Sequence, residues 1–173
     1  MSLYDEMDAA SVPRRQFDCP WIRAARISVA GPLYEPSETG VWHVLFPVFD
    51  RVHVCRGDGD HLPPVDLVGD PVTLIDIVAW RPEDPGKFLT RCGMVDFLGA
   101  LSDEVVLYPD PLAWHDAGQR GAVILDWSTV AWRLIDCASV TASTLELAER
   151  ADQELRAARK RLTPPLPKIG VLS

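Results

Sequence analysis

The sequence predicts an α+β domain with a mixed or antiparallel sheet of about five or six strands, short helices and one long C-terminal helix. Three observations predict it. Short apolar or alternating runs, bounded by Gly, Pro and Asp, fill the chain up to about Ser143. Two Asp-Pro pairs mark short helices. Beyond Ser143 the apolar spacing lengthens to three and four residues.

Residues 1–20 read as an N-terminal arm broken at Pro13. Ala25, Ile27 and Val29 alternate with Arg26 and Ser28, as on a half-buried strand, and Gly31-Pro32 ends it. Val44, Phe46, Val48, Val52 and Val54 share one parity, which predicts the clearest strand of the chain. Pro47 cannot donate to a ladder, so that strand is expected at an edge, bulged or broken there. Arg56–Pro64 is a loop. Val72–Trp80 is a nearly continuous apolar run rich in β-branched residues, read as a buried strand. Asp84-Pro85 predicts a short helix over 85–91, and Asp110-Pro111 another over 111–117 that ends at Gly118. Met94–Leu98, Val105–Tyr108, Ala122–Leu125 and Ala131–Ile135 are expected as strands.

The terminal helix is predicted over 143–162. Ala148, Ala151, Leu155, Ala158 and Leu162 form its apolar stripe, and Glu146–Arg150 and Asp152–Arg156 pair acid before base four residues apart. Arg159, Lys160 and Arg161 complement the negative end of the helix dipole. Thr163-Pro164-Pro165 stops it, and 164–173 is an extended tail. Residues 21–163 thus make one domain. The tetrapeptide Val78–Arg81 recurs as Val130–Arg133, which raises the idea of a duplicated strand unit, although a single tetrapeptide is not a solenoid repeat.

Composition bounds the function classes. The 173 residues are 47% hydrophobic and 24% charged, enough apolar surface for a core without staples. The formal net charge is −8. From Ala142 onward six Lys/Arg face four Asp/Glu, a balance of +2, so the preceding part carries −10. An acidic body repels phosphates, so direct nucleic-acid binding is disfavoured and a basic partner fits better. No apolar run is long enough for a membrane span, and the first ten residues do not read as a secretion signal. A cytoplasmic protein with reduced thiols is expected. Cys19, Cys55, Cys92 and Cys137 are too scattered for a paired-cysteine zinc or redox motif.

Candidate chemistry lies in carboxylates. Asp58, Asp60 and His61, with Asp66 and Asp70 downstream, could hold Mg²⁺, Mn²⁺ or Ca²⁺ through oxygen ligands, but their spacing fits no calcium loop and equally suits a solvated acidic turn. Asp76 and Asp126 sit in or at the end of apolar strands, where a carboxylate needs a partner. Facing one cleft, they would make an acid/base or metal pair; apart, each takes a structural hydrogen bond. His43, His53, His61 and His115 show no metal-ligand spacing, and neither a nucleophile elbow nor a phosphate-binding glycine loop is present.

The expectation is therefore a non-enzymatic acidic binding or accessory protein, acting on a protein partner or on itself. The tryptophan-rich composition and the narrow stripe of the terminal helix support it. No cofactor is expected. The alternative is an enzyme dependent on a divalent cation, built on the carboxylate cluster; a further one is an acidic nucleic-acid mimic that binds a basic protein.

Overall fold

The computed structural model describes residues 22–50, 53–54, 65–66, 68 and 70–162. It shows an α+β domain with short helices and one long C-terminal helix. Strands β1 (Arg23–Ala30), β2 (Leu33–Pro36), β3 (Val41–Phe49), β6 (Leu74–Trp80) and β7 (Leu89–Thr90) close into a barrel in the order β1-β2-β7-β6-β3. Its pairs are antiparallel except β2 with β7. β4 (His53–Val54) and β5 (Val65–Asp66) form a separate antiparallel pair. The strands β8 (Phe97–Gly99), β9 (Glu104–Tyr108), β10 (Ala122–Ile124) and β11 (Ser139–Ala142) make a second sheet in the order β11-β9-β10-β8. In it β9, β10 and β11 run parallel and β8 antiparallel. The helices are α1 (Pro111–Asp116), α2 (Trp127–Leu134) and α3 (Leu145–Leu162).

Alternation sorts the apolar residues into three layers. Ile27, Leu45, Phe49, Leu74, Ile77, Ala79 and Leu89 fill the barrel with Tyr34 and Val72. The opposite parity of the same strands, Phe46, Val48, Val78 and Trp80, faces outward onto Leu98, Trp114 and Val123. Beyond the second sheet, Val105, Leu107, Ala122 and Ile124 pack on Trp127, Val130 and Leu134 of α2 and Ala151 of α3. The order is barrel, sheet, helices, and β6 and the part of β3 from His43 onward are covered on both faces.

Pro47 shows how the barrel tolerates a missing donor. It stands opposite Ile77. The Ile77 N–H donates to the Asp76 carboxylate and the Ile77 carbonyl accepts from Arg91 N, so both turn away from β3. Pro47 therefore occupies a non-hydrogen-bonded position toward β6. On its other side the β1 ladder ends, among the described residues, at Leu45.

Three local expectations change. Residues 131–135 belong to a helix rather than a strand: Trp127, Val130, Ala131 and Leu134 are its buried residues, at helical spacing behind an Asp126 cap. Residues 85–91 form turns and then β7, whose Leu89 closes the barrel interior, instead of a helix. The stripe of α3 is centred on Ala151 and Ala158, with Leu147 and Leu155 partly buried and Ala148 exposed. That stripe docks on α2 and β11 of its own domain. The repeated tetrapeptide is strand at 78–80, with Arg81 just past the strand end, and helix at 130–133, so the two copies are not one duplicated strand unit.

Candidate functional site

The candidate residues fall in three places. Asp58, Asp60 and His61 lie outside the described residues, as do the side chains of His53 and Asp66; Asp70 is exposed. Asp76 is fully buried on the outward parity of β6, facing the second sheet. Its Oδ1 accepts from Ile77 N at 2.8 Å, Arg91 N at 2.9 Å and Cys92 N at 3.0 Å. Its Oδ2 accepts from Met94 N at 2.8 Å. Four backbone donors thus satisfy a carboxylate that would otherwise be too costly to bury. Three of them, Arg91, Cys92 and Met94, belong to the segment that carries the chain from β7 to β8, and Asp76 ties that crossover to β6. The partners are main-chain amides.

Asp126 is exposed at the opposite side of the second sheet and caps α2. Its Oδ1 accepts from Ser128 N at 2.8 Å and Ser128 Oγ at 2.7 Å. It has a counterpart: Asp110 caps α1, accepting from Leu112 N and Ala113 N at 2.9 Å each. Thr144 caps α3 through Leu147 N at 3.3 Å. Each cap stands two residues past the end of a parallel strand, after β9, β10 and β11 respectively. The carboxyl edge of these strands therefore collects three helix starts. α1 contributes Trp114 to the layer against the barrel, and α2 packs on the other face. The connections from adjacent strands β9 and β10 thus leave to opposite sides, the arrangement that opens a crevice at the carboxyl ends of α/β sheets. Asp76 and Asp126 serve different junctions. Among the described residues, no group of three His, Cys, Asp or Glu is placed to hold a metal ion.

His43 is the one buried histidine among the described residues, only 7% exposed. It lies on the inward parity of β3, opposite Ala25, with Nδ1 3.0 Å from the Val41 carbonyl oxygen. Burial holds its imidazole below the usual histidine range. The Val41 hydrogen bond and Glu83 oppose that shift, and Arg81 and Lys87 add to it. His115 is half-buried on α1, with Nδ1 3.8 Å from Asp116 Oδ1. Burial pushes the Cys137 thiol up, with Asp103 and Asp136 adding to it, away from a reactive thiolate.

A different surface emerges at the rim of the barrel, where β1 ends and β3 begins. Trp42 shares the parity of Val44 and Phe46, so the strand pattern alone would place it in the core. It is 46% exposed because the second sheet covers the wall only from Val44 onward. The Arg26 guanidinium, from the opposite position on β1, lies 5.1 Å from the Trp42 ring centroid. Val41 and Val29, on the inward parity, are 54% and 52% exposed at the open end of the barrel. Glu35 and Glu38 are exposed on β2 and the turn after it, and the Glu38 carbonyl accepts from Arg26 at 3.1 Å.

No protein-family model matches the chain, and no curated protein or solved structure matches it. What is established is the class, an α+β domain with a closed five-stranded barrel packed on a mixed sheet. No helix among the described residues is long and apolar enough to cross a membrane.

Proposed function

We propose that the chain is a non-enzymatic binding protein that engages a basic protein partner through the barrel rim. One observation carries the reading: an exposed Trp42 stacked with Arg26, beside exposed Val41 and Val29. Tryptophan and arginine are the residues most enriched at the energetic centres of protein interfaces. The aromatic face offers a large apolar area at small rotamer cost, and the nearby Glu35 and Glu38 in a chain of net charge −8 favour a cationic surface opposite. The test is side-by-side affinity capture with the wild-type chain and Trp42→Ala, matched for thermal stability. A partner held by the wild type, released by salt and bound at least about thirtyfold more weakly by Trp42→Ala is expected, the loss typical of a central tryptophan. Equal binding by both chains overturns the assignment of the rim.

A second reading, an enzyme dependent on Mg²⁺ or Mn²⁺, is favoured by the carboxyl edge of β9 and β10. Asp126 and Asp110 present carboxylates where α/β sheets hold their ligands. Asn caps a helix as well as Asp does, so Asp126→Asn removes charge while leaving α2 intact. On this reading millimolar Mg²⁺ or Mn²⁺ raises the melting temperature of the wild type, EDTA reverses it, and Asp126→Asn abolishes the rise. An unchanged melting temperature in the wild type ends it.

A further inference from the structure

We infer that β11 is a self-association edge, and that two copies of the chain pair antiparallel along it about a twofold axis at Thr141. Ser139 N–H donates to the Asp103 carbonyl at 2.9 Å and Ser143 N–H to the Leu107 carbonyl at 2.9 Å. Alternate residues of a strand direct their N–H and C=O to opposite sides. Ser139, Thr141 and Ser143 therefore face β9, and the N–H and C=O of Val140 and Ala142 point away from it. Among the described residues β11 ends the sheet, with no strand beyond it.

Such an edge is normally guarded by charge, proline or a bulge. Ser139–Ala142 has none of these, and the whole stretch from Ser139 to Leu145 contains no charged residue in a chain of net charge −8. The opposite edge, β8, is three residues long and ends at Gly99 with φ +94°. The outward groups of β11 are self-complementary. With Val140 opposite Ala142 of the partner copy, each such pair exchanges two N–H···O bonds, and the twofold axis repeats the pair. Thr141 then meets Thr141 of the partner copy at a non-hydrogen-bonded position, where side chains approach most closely and Thr–Thr pairs are favourable. The Thr141 side chain is exposed and so is its neighbour on β9, Val106. α3 lies against β11, and pairing would bring the α3 of the partner copy alongside it. Leu145, 75% exposed at the start of α3, sits three residues past the strand, on the helix that would meet its copy. A neutral, symmetric strip in an otherwise acidic chain favours a second copy over a charged partner.

The test uses the full chain. Light scattering after size exclusion is expected to give twice the 19.2 kDa of one chain. Val140→Pro removes an outward N–H without touching the β9 ladder, and it is expected to yield a monomer with unchanged circular dichroism. If that variant does not fold, Thr141→Cys decides the question: on oxidation it should cross-link to its own copy, whereas Ser139→Cys and the wild type should not. A monomeric wild type at the highest concentration the chain tolerates overturns the proposal. So does a dimer that survives Val140→Pro, or a Thr141→Cys chain that stays uncross-linked.

Discussion

Asp76 decides whether the barrel and the second sheet stay joined. Its buried carboxylate gathers the N–H groups of residues 77, 91, 92 and 94. Asp76→Ala would remove the acceptor these amides share, while Arg91 N keeps its second bond, to the Ile77 carbonyl. The substitution is expected to lower the unfolding free energy by about 3–5 kcal/mol, since a hydrogen bond to a charged group contributes about 1.5–3 kcal/mol. Urea unfolding measures it, and a loss below about 1 kcal/mol would mean the crossover finds other acceptors. Asn at this position is expected to recover only part of the loss, because one of its terminal atoms is a donor facing donors. The sequence marked Asp76 as unusual, since a carboxylate inside an apolar run needs a partner. It could not name the partners, because three of the four amides lie fifteen to eighteen residues away and backbone groups leave no trace in residue identity. Asp126 was marked for the same reason, and there Ser128 two positions on was a readable sign of a cap. His43 supplies the pH dependence. In the unfolded chain a histidine titrates near about 6.5. Burial holds the folded imidazole below that value. Between the two values the unfolded state binds more protons, so the His43 contribution is complete above about pH 6.5 and falls as pH drops toward the folded value. Comparing wild type with His43→Gln from pH 8 to 5 isolates the effect. Their stability difference should shrink on acidification, and a constant difference would mean that the imidazole is not held neutral.

The elements show where short-range patterns lose to packing. Val78–Arg81 and Val130–Arg133 have the same four residues, yet the first completes β6 between two apolar layers and the second turns through α2 with one face in solvent. Intrinsic preference for four residues is worth only a few tenths of a kcal/mol each, and burial decides. The Asp126 cap and the 127, 130, 131, 134 spacing were present in the sequence, but an eight-residue helix offers barely two turns in which to read a period. β7 was harder. Two residues long, it exists because Leu89 fills the barrel and Thr90 bridges β6 and β2, both partners remote in the chain. By contrast β3, β6 and α3 were legible, since each is long enough for its own period to show. Glycine governs how closely these elements approach. A Cβ on Gly121 would lie 2.1 Å from the Val106 carbonyl oxygen, and its φ of +85° is left-handed, so β9 and β10 can meet there only around glycine. Gly118, three residues earlier, has φ +75° but open space around its Cα. Gly118→Ala should therefore cost only the conformational penalty of about 1–2 kcal/mol. Gly121→Ala should cost distinctly more, because backbone must move as well. Thermal unfolding of the two variants side by side checks it, and equal losses would show that the sheet relaxes around the added methyl.

At the scale of the whole molecule, one layer makes the parts cooperative. The class of fold was legible in the sequence, but the division of strands between a closed barrel and a second sheet was not, because alternation records which faces are buried and not what buries them. Phe46, Val78 and Trp80 from the barrel interlock with Leu98, Trp114 and Val123 from the sheet, and Phe46 meets Trp80 edge-on with ring centroids 6.5 Å apart. Neither part retains a covered wall without the other. Separating them would expose Phe46, Val78 and Leu98, each at most 1% accessible in the folded chain. At about 1.5–3 kcal/mol for each large apolar side chain, the exposed interface would outweigh what an isolated barrel of this size could supply, so the two parts are expected to unfold together. Phe46→Ala tests this, since the cavity lies on the shared layer and belongs to neither part alone. It should cost about 3–5 kcal/mol and leave a single transition, with tryptophan fluorescence and far-ultraviolet circular dichroism moving to the same lower midpoint. If the two signals separate, the barrel and the mixed sheet are independent folding units, and the layer between them is a docked interface instead of a common core.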